Sequence, residues 1–153
     1  MRPIDPRVDI GHVHLKVSDL DRSLAFYCGV LGFELKQRLG DEAAFIAAGD
    51  YHHHLGLNTW ESRGAGPPPR NTTGLYHTAI RYPDRKTLAD ALRRVLEARI
   101  PISGASDHGV SEAIYLADPD GYESKSSSTR MALIERIPEP VLADADDALA
   151  LAA

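Results

Sequence analysis

From Asp9 to Val17 the apolar residues Val13, Leu15 and Val17 alternate with His12, His14 and Lys16, the two-residue period of a strand with one apolar face. At Ser18 the period changes. Leu20, Leu24, Tyr27 and Leu31 recur at helical spacing until Gly32 supplies a stop, and Ser18 with Asp21 three residues later resembles a capping box. Short β-prone runs follow at Phe33–Arg38, Ala43–Ala48 and His52–Asn58, separated by the turn signals Gly40-Asp41 and Gly49-Asp50. The predicted order is β-α-β-β-β.

The stretch from Gly64 to Asn71 is rich in Gly and Pro, has no apolar period and reads as a linker. Beyond it the element order repeats. Leu75–Arg81 is a strand carrying a histidine, Asp84 caps a helix with Leu88, Leu92 and Val95 on one face, and Ile100–Ile102 and Glu112–Ala117 are β-like. A unit of about 65 residues is too small to bury a sheet face alone, so two of them are expected side by side as a curved mixed sheet with helices outside. The expected fold is α+β, two βαβββ modules forming one cup. The expected boundaries are one domain over 1–137, with module one at 8–60, a linker at 61–73 and module two at 74–130. Residues 138–153, rich in Ala, Leu and Asp, are expected to form a tail or short surface helix.

Composition narrows the function. The 153 residues carry a formal net charge of -5 and offer no basic stripe to collect phosphates, so nucleic acid is not an expected partner. One cysteine, Cys28, cannot form an internal disulfide, and no apolar run is long enough to span a bilayer. A cytoplasmic protein with no membrane partner is the expectation.

Six of the seven histidines fall on three segments read as strands: His12 and His14, then His52, His53 and His54, then His77. Matching points of the two first strands carry His12 and His77, which can converge if those strands are neighbours. Neutral imidazole is a ligand for divalent metals, and two histidines with one carboxylate suit a non-haem Fe(II) that binds substrate and O₂ together. Phe45, Trp60 and Tyr76 are candidates for an aromatic pocket.

Four segments, Gly11-His-Val-His-Leu-Lys-Val17, Ser18 through Tyr27 with Leu31-Gly-Phe33, Leu75-Tyr-His-Thr-Ala-Ile80 and Asp118-Pro-Asp-Gly121, together resemble the vicinal-oxygen-chelate superfamily of glyoxalases, bleomycin- and fosfomycin-resistance proteins and extradiol dioxygenases. Within it, Tyr51-His-His-His-Leu-Gly-Leu-Asn-Thr-Trp60 and His108 through Tyr115 are similar to the catechol 2,3-dioxygenase-like proteins. The resemblance implies an extradiol-type enzyme that opens a catechol-like ring with Fe(II) and O₂. It further implies that His12 and His77 bind the metal, that His54 is the acid-base residue, that Tyr115 faces the substrate, and that His108 is a nearby donor. The expected partners are a small aromatic substrate, O₂ and a second copy of the chain in a homodimer.

One departure bears on the ligand set. The family's glutamate ligand stands four residues after the glycine of Asp-Pro-x-Gly, where this chain has Lys125. Glu123, two residues earlier and of the same strand parity, is the carboxylate expected as third ligand. Loss of that ligand would instead suit a metal-poor protein that binds an aromatic or antibiotic molecule. A glyoxalase-like isomerase or lyase is a third reading, without an evident module-one carboxylate at His54-Leu55.

Overall fold

The computed structural model describes residues 2–69, 71–107, 112–121 and 130–135. Its described chain forms two compact units, one holding residues 2–76 with 118–121, the other 77–107 with 112–117 and 130–135.

In the first unit β1 (Val13–Lys16) leads into α1 (Leu20–Leu24), and then come β2 (Glu34–Leu39), β3 (Ala43–Ala47) and β4 (Leu55–Asn58). The sheet order is β1-β4-β3-β2, with β4 parallel to β1 and antiparallel to β3. Leu15 and Leu57, partners in the parallel pair, are buried together with Val17, Leu55, Ala44 and Ile46. Their alternation puts His14 and Phe45 on the opposite face, both in register with Gly56.

The first helix differs from the uniform helix that the spacing predicts. After α1 it continues as a π-helical turn, Ala25–Val30, with the Leu31 amide bonded to the Phe26 carbonyl five residues back. The wider turn buries consecutive residues, Phe26 and Tyr27, alongside Leu20, Ser23 and Leu31. The cap is also one residue later than expected. Asp19 accepts the Arg22 amide at 2.9 Å, while the Ser18 hydroxyl and amide are taken up by the Asp120 carboxylate. A carboxylate at the second position wins the cap because the Ser18 hydroxyl is already donated to Asp120.

The second unit repeats the plan with β5 (His77–Tyr82), α2 (Arg85–Glu97), β6 (Ile102–Asp107), β7 (Glu112–Ala117) and β8 (Arg130–Glu135), in the order β5-β8-β7-β6. Here Asp84 caps the helix as predicted, and the cap is a full capping box with Thr87: the Thr87 amide donates to Asp84 at 2.8 Å, and the helix buries Leu88, Ala91 and Val95 against β5 and β8. The two four-stranded mixed sheets make this an α+β fold of two βαβββ modules, as the sequence pattern predicts. No helix among the described residues is long and apolar enough to cross a membrane.

Candidate functional site

Four of the five histidines of the first unit, His12, His52, His53 and His54, gather where the parallel strands β1 and β4 begin. The Val13 amide donates to the His54 carbonyl at 3.0 Å, so the residues just before β1 and those just before β4 travel side by side. The approach is close: a Cβ placed on Gly11 would lie 3.3 Å from the Tyr51 hydroxyl. This juxtaposition brings the His12 and His53 rings to 4.5 Å, His52 and His53 to 4.4 Å, and His12 and His52 to 6.5 Å. One nitrogen from each of the three lies within 4.8 Å of the others, a spacing that could hold a metal ion.

His54 points elsewhere. The Ala48 amide donates to its Nδ1 at 3.2 Å and its ring stacks near Tyr51 at 4.6 Å, whereas His53 meets both His12 and Phe45, the latter at 5.0 Å. Regular alternation carried back from β4 would have put His52 and His54 on one face and His53 on the other. The strand starts only at Leu55, however, and the bent residues before it do not follow that period. The imidazole delivered to the face of His12 and His14 is therefore that of His53.

His14 lies flat over Gly56, beside Phe45 at 6.0 Å and Trp60 at 5.6 Å. A Cβ on Gly56 would come within 2.9 Å of that ring, so glycine is what lets the imidazole settle on the sheet. Burial, and then the neighbouring His12, push the His14 pKa down. Burial followed by the charges of His52, His12, His14 and His54 does the same to His53. Both shifts favour neutral imidazole, the form that accepts a proton or binds a metal. The donor set of this face thus suits a divalent ion of borderline softness, since imidazole nitrogen is its ordinary ligand.

In the second unit His77 opens β5 on the exposed face that α2 does not cover. Tyr115 is in register with Ala132, which is in register with Ala79, so it shares that face with His77 two residues along β5. Backbone register also places Arg130 directly beside His77. The one acidic residue of β8, Glu135, is in backbone register with Tyr82 at the far end, about 16 Å along at roughly 3.3 Å per residue. His108, Glu123 and Lys125 lie outside the described residues. Tyr76 is exposed.

The Asp-Pro-Asp-Gly turn does more than place a strand. Asp118 is buried, accepts the Gly121 amide at 3.1 Å and the Tyr27 hydroxyl at 3.3 Å, and has its pKa raised to about 6 by burial and by Asp120. Asp120 in turn holds Ser18 and, at 2.7 Å, Arg22. These links tie the turn to the helix that follows β1. Sequence signals for this contact are faint, because a tyrosine in a helix and an aspartate in a turn each have commoner explanations.

The chain matches the family described as the Glyoxalase/Bleomycin resistance protein/Dioxygenase superfamily over residues 9–124. It is 44% identical over 122 residues to the "Catechol-2,3-dioxygenase" of Bacillus subtilis (strain 168), a match covering 79% of this chain and 41% of that protein. With "Biphenyl-2,3-diol 1,2-dioxygenase 3" of Rhodococcus globerulus the identity is 30% over 124 residues, covering 77% and 60%. The chain therefore spans about two fifths to three fifths of the length of these relatives. Among solved structures, a glyoxalase/dioxygenase from Nostoc punctiforme shares the fold with a TM-score of 0.68 at 20% identity, covering 88% of this chain and 97% of that one. The lactoylglutathione lyase from Agrobacterium tumefaciens gives 0.63 at 21%, covering 86% and 96%. Motif order, duplicated topology and these likenesses agree: the chain belongs to the glyoxalase/bleomycin resistance protein/dioxygenase superfamily.

Proposed function

We propose that the chain is an extradiol-type dioxygenase module that opens the ring of a catechol-like aromatic with O₂, both oxygen atoms ending in the product. The observation that carries this reading is the imidazole face of module one, where His12 and His53 lie 4.5 Å apart beside Phe45. The 44% identity to a catechol-2,3-dioxygenase supports it.

In this proposal His12, His77 and Glu123 hold Fe(II). The bound ion would supply adjacent coordination positions for the catechol oxygens and O₂ and a route for electron density between them. His53 takes a hydroxyl proton from the catechol and later returns one, the part that the family resemblance implies for His54. The choice of His53 rests on its sharing the face of His12, while His54 is engaged with the Ala48 amide. Phe45 and Trp60 offer apolar surface to the ring, Tyr115 donates to a substrate oxygen, and His108 is a further donor.

The test is reconstitution with Fe(II) under anaerobic conditions, then addition of catechol and air. The expected result is a yellow ring-opened product with one O₂ consumed per catechol, lost in His12→Ala and in Glu123→Gln. A second reading, a metal-poor protein that binds an aromatic ligand, is favoured by one observation: the backbone register of β8 sets Arg130 beside His77 and the strand's one acidic residue, Glu135, at its other end. Saturable catechol binding with neither Fe(II) retention nor turnover would select that second reading.

A further inference from the structure

We propose that module one contains a metal site of its own, in which His12, His52 and His53 bind a borderline divalent cation such as Zn(II) without any ligand from module two. The inference goes beyond the dioxygenase reading and stands whether or not a catechol is the substrate.

Three observations carry it. The rings come from two chain segments that the backbone holds together, through the Val13 amide on the His54 carbonyl at 3.0 Å and the His54 amide on the Ile46 carbonyl at 2.9 Å. His54 itself anchors the run from its other side by accepting the Ala48 amide. The three candidate nitrogens already lie within 4.8 Å of one another. Metal–nitrogen bonds of about 2.0–2.1 Å in a tetrahedral site require nitrogens roughly 3.4 Å apart. The rings thus need to close by at most about 1.4 Å. His12 and His52 are exposed and His53 only half-buried, so side-chain rotation can supply that movement without moving the sheet.

The chemistry selects the cation. Three neutral imidazoles lower none of the metal's charge and suit Zn(II), Cu(II) and Ni(II), which bind such donors more tightly than Fe(II) does. Three nitrogens leave a fourth position for water. Because His12 belongs to this set and to the one proposed for Fe(II), one cation excludes the other. Zn(II) in module one would therefore take His12 out of the ligand set proposed for Fe(II).

The test uses the full chain, stripped of metal and titrated with Co(II) as a spectroscopic substitute for Zn(II), then with Zn(II) in competition. The expected result is one tight equivalent with the intense visible bands of four-coordinate Co(II). His52→Ala should lower the affinity by ~10²-fold or more and bleach those bands. His77→Ala and Glu123→Gln should leave the bands in place. His52 is exposed, and circular dichroism of the variant checks that the fold is kept. Retention of Co(II) in His52→Ala with loss in His77→Ala would overturn the inference while leaving the Fe(II) reading intact. Absence of saturable Co(II) binding in the natural chain would overturn it outright.

Discussion

Module one and module two have the same strand order and the same parallel pairing of first and last strands, yet they carry different chemistry at the same place in the sheet. In module one the last strand, β4, is entered through Tyr51, His52, His53 and His54 and runs past His14 with only Gly56 beneath the ring. In module two the equivalent strand, β8, begins at Arg130, nine residues after Gly121, and brings no histidine to His77. The helices differ as well: α2 is thirteen residues with a full capping box, while α1 is five residues and continues as a π-helical turn. Pairing is set by backbone groups and by the apolar face, which both modules keep. The open face is under no such constraint, so ligands can be gathered in one copy and thinned in the other.

The largest expected effect separates the two neighbouring histidines of module one. In the Fe(II)-loaded chain His53→Ala should reduce catechol turnover by ~10²-fold or more, as loss of a proton-transfer group does, while His54→Ala should change it by less than about threefold. Steady-state oxygen uptake measures both. The reverse order would mean that the bend before β4 rearranges when substrate binds, and that the alternation of the strand extends back to His54 after all.

A second effect lies in the turn that docks on module one. Asp118 has a folded pKa near 6 against an ordinary 3.8, so the folded state binds its proton more tightly than the unfolded chain. The stability this adds is present in full below about pH 4 and is lost as pH rises through about 6. Asp118→Asn keeps an acceptor for the Gly121 amide and offers a donor to the Tyr27 oxygen, but removes the buried charge. Urea unfolding at pH 8 should show the variant more stable by about 2 kcal/mol, with about 3 as the upper limit set by the shift. The difference should shrink to nothing as pH falls toward 4. A variant less stable at pH 8 would mean that the carboxylate has a cationic partner and is ionised at little cost.

The frame of the fold could be read from the sequence because β1 and α2 each bury one regular face, while β3 and β7 are short apolar runs buried over most of their length. Glu112–Ala117 is matched residue for residue, and the Asp84 cap is where the pattern puts it. The shift of the first cap from Ser18 to Asp19 could not, since it depends on Asp120, a hundred residues away in sequence. Nor could the π-helical turn, which answers to the need to bury both Phe26 and Tyr27. The histidines marked a candidate site, but that His53 and not His54 meets both His12 and Phe45 depends on a bend that alternation does not foresee. The last strand was hardest. A polar run occupies the place where the family pattern expects it, and β8 forms from Arg130–Glu135, the next segment with a continuous apolar stretch.

A smaller effect tests how tightly module one is built around its imidazoles. Gly56→Ala places a methyl 2.9 Å from the His14 ring and must push it off the sheet. The expected cost is about 1–2 kcal/mol in urea unfolding, at the lower end for overpacking because the exposed ring can give way. His14→Ala in the same chain should recover most of it, and a double-mutant cycle measures the coupling. Additive losses would place the strain in the backbone of β4 instead.

The smallest effect returns to the two helices. Asp84→Ala removes the acceptor for the Thr87 amide and half of the capping box on α2. Asp19→Ala removes one comparable bond, to the Arg22 amide. Beyond its cap the first turn of the long helix has the largely exposed Arg85 paired with Glu112, whereas Ser18 and Arg22 on either side of Asp19 stay pinned by the less exposed Asp120. Amide exchange read residue by residue should show protection in the first turn of α2 falling several-fold in Asp84→Ala and recovering in Asp84→Ser. The first turn of α1 should lose less in Asp19→Ala. Equal losses would show that the Asp120 contacts do not hold the short helix. Asp120→Asn, which weakens the pairing with Arg22, should then leave exchange in α1 unchanged as well.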